Sequence, residues 1–141
     1  MKKSGGGAKV PAPSGTVTFL LSDIEGVRNV GATTAPRLQE ALRAHDRLMR
    51  EALAAHDGYV FKTIGDAFCA AFARPESATA AALDARRAFG ATDFSAVDGL
   101  RVRVAINTGT ADKRHGDYFA PTLNRVARLL SLGHEAKSYS L

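Results

Sequence analysis

The hairpin at residues 59–72, with the sequence Tyr-Val-Phe-Lys-Thr-Ile-Gly-Asp-Ala-Phe-Cys-Ala-Ala-Phe, fixes the architecture of this chain. Its two apolar runs flank Gly65-Asp66, and a Gly-X pair between strand-like runs is typical of a two-residue β-turn. Before the hairpin, residues 16–22 are β-branched and apolar without polar alternation, which predicts a strand buried on both faces. Three strands of a sheet are therefore predicted here.

Helical spacing predicts a helix between these strands. It has cap candidates in Thr33 and Thr34 and a proline, Pro36, near its first turn, and Asp57-Gly58 ends it. Its predicted apolar face consists of Leu38, Leu42, His45, Met49 and Leu53.

Three further elements follow the hairpin. An alanine-rich helix spans 75–89 and is ended by Gly90, and residues 100–107 form a strand. A loop containing residues 115–117 then leads to a last helix over 121–132. The predicted order is strand, helix, strand, strand, helix, strand, loop and helix.

This order predicts an α/β (α+β sandwich) fold with a ferredoxin-like βαββαβ core, an antiparallel sheet and an additional C-terminal helix. In that topology the first and third strands lie side by side, so the end of the first strand meets the hairpin turn. Asp23 is thereby predicted to lie near Asp66. Because this fold hosts many functions, only the site can decide among them.

Composition is that of a single-domain globular protein. The chain has 141 residues, 45% apolar and 23% charged, and no apolar run long enough to span a bilayer. The single cysteine, Cys69, and the lack of a signal-peptide pattern favour a reducing, cytoplasmic location. Of the net charge of +5, three charges come from lysines in the Gly/Pro/Ser-rich segment 1–14, which is predicted to be a flexible leader. The basic balance is therefore weak evidence for a nucleic-acid partner.

Asp23 and Asp66 are the first candidates for chemistry. Two carboxylates at neighbouring strand ends can hold hard divalent cations, and two such cations can clamp the oxygens of a phosphoryl-transfer reaction. Aspartate also caps turns without any further function, and for each residue alone this interpretation is favoured. When the two residues are considered together on this topology, metal binding and simple turn capping are equally favoured.

Three separated segments resemble class III nucleotidyl cyclase catalytic domains, above all the compact bacterial, mycobacterial-type adenylate cyclases. Residues 15–26 are similar to the opening strand of these domains, residues 61–68 to their metal-carrying hairpin, and residues 117–128 to their substrate loop and catalytic helix. The resemblance implies a catalytic domain over 15–133, followed by a tail over 134–141.

The resemblance implies roles for individual residues. Asp23 and Asp66 match the aspartates that bind two divalent cations, Mg²⁺ or Mn²⁺, with the main-chain carbonyl of Ile24 completing the shell. These cations would activate the ribose 3′-hydroxyl for attack on the α-phosphorus and hold the departing pyrophosphate. Asn124 and Arg128 match the ribose-orienting and transition-state residues, and their i, i+4 spacing places both on one helix face.

Lys62 and Asp117 match the pair that reads the base. Adenine presents an acceptor at N1 and a donor at its 6-amino group, which a lysine donor and an aspartate acceptor complement, whereas guanine presents the opposite pattern. The pair therefore predicts ATP over GTP. Arg114 is a further candidate for a phosphate contact, because a basic residue occurs near this place in relatives, although an exposed loop arginine needs no function.

The resemblance also implies a head-to-tail homodimer whose two ATP sites form at the interface, with no nucleic acid and no membrane span. Three departures stand against the family pattern. Val27 follows where relatives usually have Ser or Thr, and Ala120 replaces a more usual glycine. The chain stops at Leu141, where relatives continue with a dimer arm and a triphosphate-binding lysine, a role that Lys137 cannot safely be given.

The expected function is an adenylate cyclase. Its rival is a truncated or degenerate cyclase-like domain that binds nucleotide or a partner without efficient turnover. An RNA-binding module of the same fold needs exposed aromatic residues, for which the third strand offers Phe68 and Phe72 without a basic surround. A diguanylate cyclase would carry a Gly-Gly-acidic-acidic-Phe hairpin, which this sequence lacks.

Overall fold

The computed structural model describes residues 12–27, 35–94, 100–114, 117–119, 125, 127 and 128. Its helices and strands are β1 (Gly15–Val27), α1 (Ala35–Ala55), β2 (Tyr59–Ile64), β3 (Ala67–Phe72), α2 (Pro75–Ala91), β4 (Leu100–Arg114) and β5 (Asp117–Phe119). The five strands form one sheet in the order β2-β3-β1-β4-β5, and every neighbouring pair is antiparallel. The predicted βαββαβ core is confirmed.

The two faces of the sheet bury different residues. The face that carries the helices holds a core of Leu20, Met49, Leu53, Phe68 and Phe72 with the alanines of α2. The opposite face is here called the helix-free face, because α1 and α2, the two helices given above, both pack on the other side. It buries Val17, Phe19, Leu21, Cys69, Ala71, Ala105, Ala111 and Tyr118. Because alternate residues of β1 enter both cores, this strand is buried on both sides, as predicted.

Burial of side chains bears on the RNA-binding interpretation and on the roles of His45 and Cys69. Phe68 and Phe72 are 2% and 0% exposed beneath the helices, so these rings are not available to stack on RNA bases. His45 is a core residue of α1, as its place on the apolar face predicted, and the thiol of Cys69 is buried. None of the helices that the structure describes is both long and apolar enough to cross a membrane.

The two-residue turn predicted at Gly65-Asp66 is present in the structure. Ile64 pairs with Ala67, and Gly65 has a φ of +61°, so glycine supplies the positive φ at the first position of a two-residue turn. At the end of α1, Asp57 takes the left-handed conformation with a φ of 60°, and Gly58 N–H donates to the carbonyl of Leu53 at 2.8 Å.

The sequence-based boundaries were wrong in three places. Gly90 does not end α2, which continues to Ala91, because a helical glycine costs only about 1 kcal/mol and packing overrides it. β4 extends to Arg114 instead of Asn107, because it pairs with the whole of β1 and then with β5. The predicted loop around Asp117 is in part the short strand β5. The cap residues Thr33 and Thr34 lie outside the described residues, as does most of the last predicted helix.

The sheet is strongly curved towards its helix-free face. In a flat sheet the outer strands β2 and β5 would lie four spacings, roughly 19 Å, apart. Instead the rings of Phe61 on β2 and Tyr118 on β5 meet edge to face with their centroids 4.8 Å apart. Phe19 of β1 packs against both rings, at 5.9 and 5.2 Å. This aromatic contact joins the two edges of the sheet over the helix-free face.

Candidate active site

Asp23 and Asp66 lie at one end of two neighbouring strands. The last residue pair between β1 and β3 is Ser22 with Phe68, so Asp23 follows that pair directly on β1. Continuing the same register places Ile24 opposite Asp66, which sits exposed in the turn between β2 and β3. The structure therefore brings the two carboxylate-bearing positions to the same sheet end.

The carboxylate of Asp23 is held by an arginine that sequence reasoning missed. Arg103 of β4 is its cross-strand partner, and its guanidinium donates from Nε to Oδ1 at 2.8 Å and from Nη2 to Oδ2 at 2.5 Å. The two side chains are only 15% and 22% exposed. Hydrogen bonding to Asp23 raises the pKa of Arg103 above its ordinary value, so the guanidinium stays charged. The one signal in the sequence was the alternation Arg-Val-Arg-Val at 101–104.

β1 changes its pairing on both sides close to Asp23. The register with β4 shifts between Ile24 and Gly26, so Glu25 is the extra residue of a β-bulge. On its other side β1 has no residue pair with β3 beyond Ser22. Main-chain groups of this segment that face β3 are thus left without a strand partner among the described residues, as a main-chain metal ligand would require.

The donor chemistry of this sheet end fits a hard divalent cation. Carboxylate and main-chain carbonyl oxygens are the ligands that Mg²⁺ and Mn²⁺ take, and each oxygen of Asp23 keeps a second acceptor position beside its bond to Arg103. Within the described ranges no three His, Cys, Asp or Glu side chains cluster as a metal site. The fit therefore rests on Asp23 and Asp66, with the Ile24 carbonyl as the remaining protein donor.

A second bulge turns Lys62 towards the aromatic contact. The register between β2 and β3 shifts between Val60 and Lys62, so Phe61 is the extra residue and Lys62 pairs with Cys69. Cross-strand partners point to the same face, and Cys69 belongs to the core of the helix-free face. Phe61 and the exposed Lys62 consequently share that face, although consecutive residues of a regular strand would not.

The same aromatic contact brings β5, which begins at Asp117, to β2, which carries Lys62. Asp117 directly precedes Tyr118 on β5, and the Tyr118 ring touches Phe61 next to Lys62. Tyr118 is itself fixed: its hydroxyl donates to the carbonyl of Pro13 at 2.7 Å, and burial raises its pKa to about 12. The phenol therefore stays protonated at physiological pH, and it holds β5 in place.

The remaining predicted site residues are described in part. Arg128 is helical and exposed, as is Arg125, which agrees with a helix in this region. Asn124 lies outside the described residues. Arg114 pairs through its backbone with Asp117, so this position stands at the start of the β4–β5 connection.

A buried histidine lies beneath the hairpin. His45 stacks on Phe89 with the ring centroids 5.5 Å apart, and it packs against Phe68 at 6.0 Å. Burial lowers its pKa, and the charges of Asp66 and Asp46 oppose that shift. Its Nε2 has no hydrogen-bond partner within the part of the chain that the structure describes. We infer a neutral imidazole at neutral pH.

Comparison with known proteins gives one family. A family model described as the adenylate and guanylate cyclase catalytic domain matches residues 10–138. An uncharacterized protein of Mycobacterium tuberculosis is 36% identical over 124 residues, which covers 86% of this chain and 41% of that protein. A receptor-type adenylate cyclase of Trypanosoma brucei brucei is 27% identical over 164 residues, covering 86% of this chain and 13% of the relative. The chain thus spans less than half the length of these relatives.

The fold has close counterparts among solved structures. An adenylate cyclase from Trypanosoma brucei, solved in its monomeric state, superposes with a TM-score of 0.76 at 27% identity, covering 87% of this chain and 72% of that one. A guanylyl cyclase domain from Blastocladiella emersonii, also monomeric, superposes with a TM-score of 0.68 at 21% identity over 84% of this chain and 75% of the other, which bears on the fold alone.

Proposed function

This chain belongs to the adenylate and guanylate cyclase catalytic domain family, and from that premise we propose that it is an adenylate cyclase. It converts ATP to 3′,5′-cyclic AMP and pyrophosphate at the interface of a homodimer, with two divalent cations, Mg²⁺ or Mn²⁺. The observation that supports the choice of ATP is the contact between Phe61 and Tyr118, which brings β5, the strand that begins at Asp117, to the strand that carries Lys62.

Lys62 and Asp117 select the base in this proposal. The ammonium of Lys62 donates to adenine N1, and the carboxylate of Asp117 accepts from the 6-amino group. Guanine would set its N1–H against the lysine and its O6 against the aspartate, so the donor and the acceptor would both lose their partners. Such a mismatch costs about 1.5–3 kcal/mol for each hydrogen bond to a charged group.

Asp23 and Asp66 hold the cations, together with the main-chain carbonyl of Ile24. Bound there, the cations lower the pKa of the ribose 3′-hydroxyl and neutralise charge on the triphosphate. Asp23 contributes from a strand end fixed by pairing with β4, whereas Asp66 contributes from an exposed tight turn. The site therefore combines one rigid and one more accessible carboxylate.

Asn124 and Arg128 complete the reaction site from the helix that follows β5. Asn124 orients the ribose, and the guanidinium of Arg128 neutralises the charge that develops on the α-phosphoryl group. Arg114 provides a further contact to phosphate. The exposure of Arg128 supports this role, because a side chain that is free of the core can reach a ligand across an interface.

The proposed dimer is head to tail. The metal-carrying aspartates of one subunit face Lys62, Asp117, Asn124 and Arg128 of the other, so each complete site draws on two chains and a monomer has none. The catalytic domain spans 15–133, with a leader over 1–14 and a tail over 134–141.

The rival function is nucleotide binding without turnover. One departure from the family pattern favours it: Val27 stands where relatives usually have Ser or Thr, which removes a hydroxyl beside the phosphate-binding segment. This change weakens the hold on the triphosphate and leaves the base and metal positions in place.

The test is product formation with ATP or GTP and Mn²⁺, over a range of protein concentrations, with Asp66→Asn as control. We expect cyclic AMP in excess of cyclic GMP, a rate that rises faster than linearly with protein, and no product from the control. Absence of product from wild-type protein that still binds ATP would establish the rival function. Equal use of ATP and GTP would refute the assignment of Lys62 and Asp117.

A further inference from the structure

The contact between Arg103 and Asp23 is a bidentate salt bridge, here called the fork. Both nitrogens of one guanidinium edge meet both oxygens of one carboxylate, at 2.8 and 2.5 Å. A fork of this kind fixes the plane of the carboxylate as well as its position. Because the pair is mostly shielded from water, its geometry is not loosened as it is in a surface ion pair.

The neighbouring ion pair shows that register alone does not create the fork. Arg101 stands two residues along β4 on the same face and meets Glu25 at 3.6 Å through one nitrogen. Its side chain is 51% exposed. The β-bulge at Glu25 separates the two pairs, so the fork lies on the regular side of the bulge and the Arg101 pair lies at the bulge itself. Arg101 is therefore a matched control for Arg103.

We propose that Arg103 is a positioning residue for metal binding, which holds the Asp23 carboxylate in the orientation that a divalent cation requires. This inference rests on the proposed function, which assigns Asp23 to the metal. The fork uses one acceptor position on each carboxylate oxygen and leaves the others for the cation. Hydrogen-bonded partners of metal ligands act in this way, and their loss typically weakens metal binding about 10- to 100-fold.

The effect of Arg103 on the metal has two opposing parts. Its positive charge repels a cation, so its removal by itself would tighten metal binding. Its fork orders the ligand, so its removal would also weaken binding. Lysine keeps the charge and cannot form the fork, whereas glutamine gives up the charge and most of the fork. If positioning dominates, Arg103→Lys and Arg103→Gln both bind the metal less tightly.

The test measures Mn²⁺ binding directly, from the electron paramagnetic resonance signal of the free ion, without nucleotide or turnover. The proteins compared are the wild type, Arg103→Lys, Arg103→Gln, Arg101→Lys and Asp23→Asn. We expect the dissociation constant to rise about 10-fold or more for both Arg103 variants and to stay within about twofold for Arg101→Lys. Thermal melts establish that the Arg103 variants remain folded.

Two failures are distinguishable. If Asp23→Asn binds Mn²⁺ as well as the wild type, the proposed metal site fails, and with it this part of the proposed function. If Asp23→Asn loses binding while either folded Arg103 variant binds as tightly as the wild type or more tightly, only the positioning role is overturned.

A second measurement uses wild-type protein and does not depend on any variant folding. The Nε–Hε resonance of Arg103 reports the hydrogen bond to Asp23 in a nitrogen-edited NMR spectrum. We expect this resonance to stay protected and to shift on titration with diamagnetic Mg²⁺, because the fork persists beside the cation. Its loss to solvent exchange on Mg²⁺ binding would show that the cation displaces Arg103, which overturns the proposal.

Discussion

In the proposed function, the charge of Lys62 decides which base the site accepts. We expect Lys62→Glu to lower the ratio of ATP to GTP turnover by about 10-fold or more, because the donor to adenine N1 becomes an acceptor that suits guanine N1–H. Parallel assays of cyclic AMP and cyclic GMP measure that ratio.

The matched control is Lys113→Glu, which makes the same charge change on the exposed strand position paired with Tyr118. We expect the control to leave the ratio unchanged. An equal change in both variants would mean that net charge, and not base recognition, sets the selectivity.

His45 makes stability depend on pH. Burial holds its pKa in the folded state below the ordinary value of 6.5, so the unfolded chain takes up the proton first as the pH falls. The neutral histidine thus supports the fold fully above about pH 6.5, and this contribution is lost as the pH drops below that value.

His45→Phe keeps a flat ring against Phe89 and cannot titrate. We expect its free energy of unfolding, from urea titrations between pH 5 and 8, to fall less on acidification than that of the wild type. His56→Gln serves as comparison, since His56 bonds Asp84 at 2.6 Å on the surface of the helix pair. If His45→Phe loses as much stability on acidification as the wild type, the histidine is not the source.

At the residue scale, candidate site residues were found from the sequence where they belong to a motif. Residues that reach the site only through the pairing of distant strands were missed. Asp23, Asp66 and Lys62 stand in short recognisable segments. Arg103 contacts Asp23 from a strand 80 residues away, and only the register of β1 with β4 sets them opposite each other. A cross-strand fork has no local signature, so no window of sequence could contain it.

Among the elements, the turn that follows α1 contains a glycine, Gly58, at a position where a side chain would not fit. A Cβ on Gly58 would lie 2.7 Å from the Phe72 ring and 2.9 Å from the carbonyl oxygen of Leu53. Phe72 is fully buried and cannot move aside. We expect Gly58→Ala to lower the free energy of unfolding by about 1–3 kcal/mol, measured by urea denaturation.

For Gly90, within α2, we expect substitution by alanine to raise the free energy of unfolding instead of lowering it. A Cβ there meets no atom of the described residues within 4 Å, so Gly90→Ala should stabilise the protein by about 0.5–1 kcal/mol through helix propensity. If both substitutions destabilise equally, the difference between a crowded and an open glycine does not govern these helix ends.

Sequence patterns predicted the six core elements and missed the two bulges. Hydrophobic periodicity locates strands and helices because it records which faces are buried. The extra residues Glu25 and Phe61 interrupt no hydrophobic pattern, yet they redirect the neighbouring main chain and the side chain of Lys62. β5 escaped prediction because it has only three residues and pairs with the far end of β4.

For the whole molecule, the proposed head-to-tail dimer can be tested by mixing two inactive variants. Asp66→Ala damages the metal end and Arg128→Ala damages the helix end, so a mixed dimer contains one site with both lesions and one site with neither. Random exchange should restore about a quarter of wild-type cyclic AMP formation. Each variant alone is the control, and a mixture as inactive as its parts would contradict a site shared between subunits.

The meeting of Phe61 with Tyr118 also has a consequence for biosynthesis. The two rings belong to opposite edges of the sheet, and Tyr118 lies on the last described strand. A nascent chain emerging from the ribosome can pair β2 with β3 early, but it cannot bring β5 against β2 until β5 has left the exit tunnel. In the proposed function, where Lys62 and Asp117 select the base, selectivity is therefore acquired late in translation, after most of the described sheet has been made.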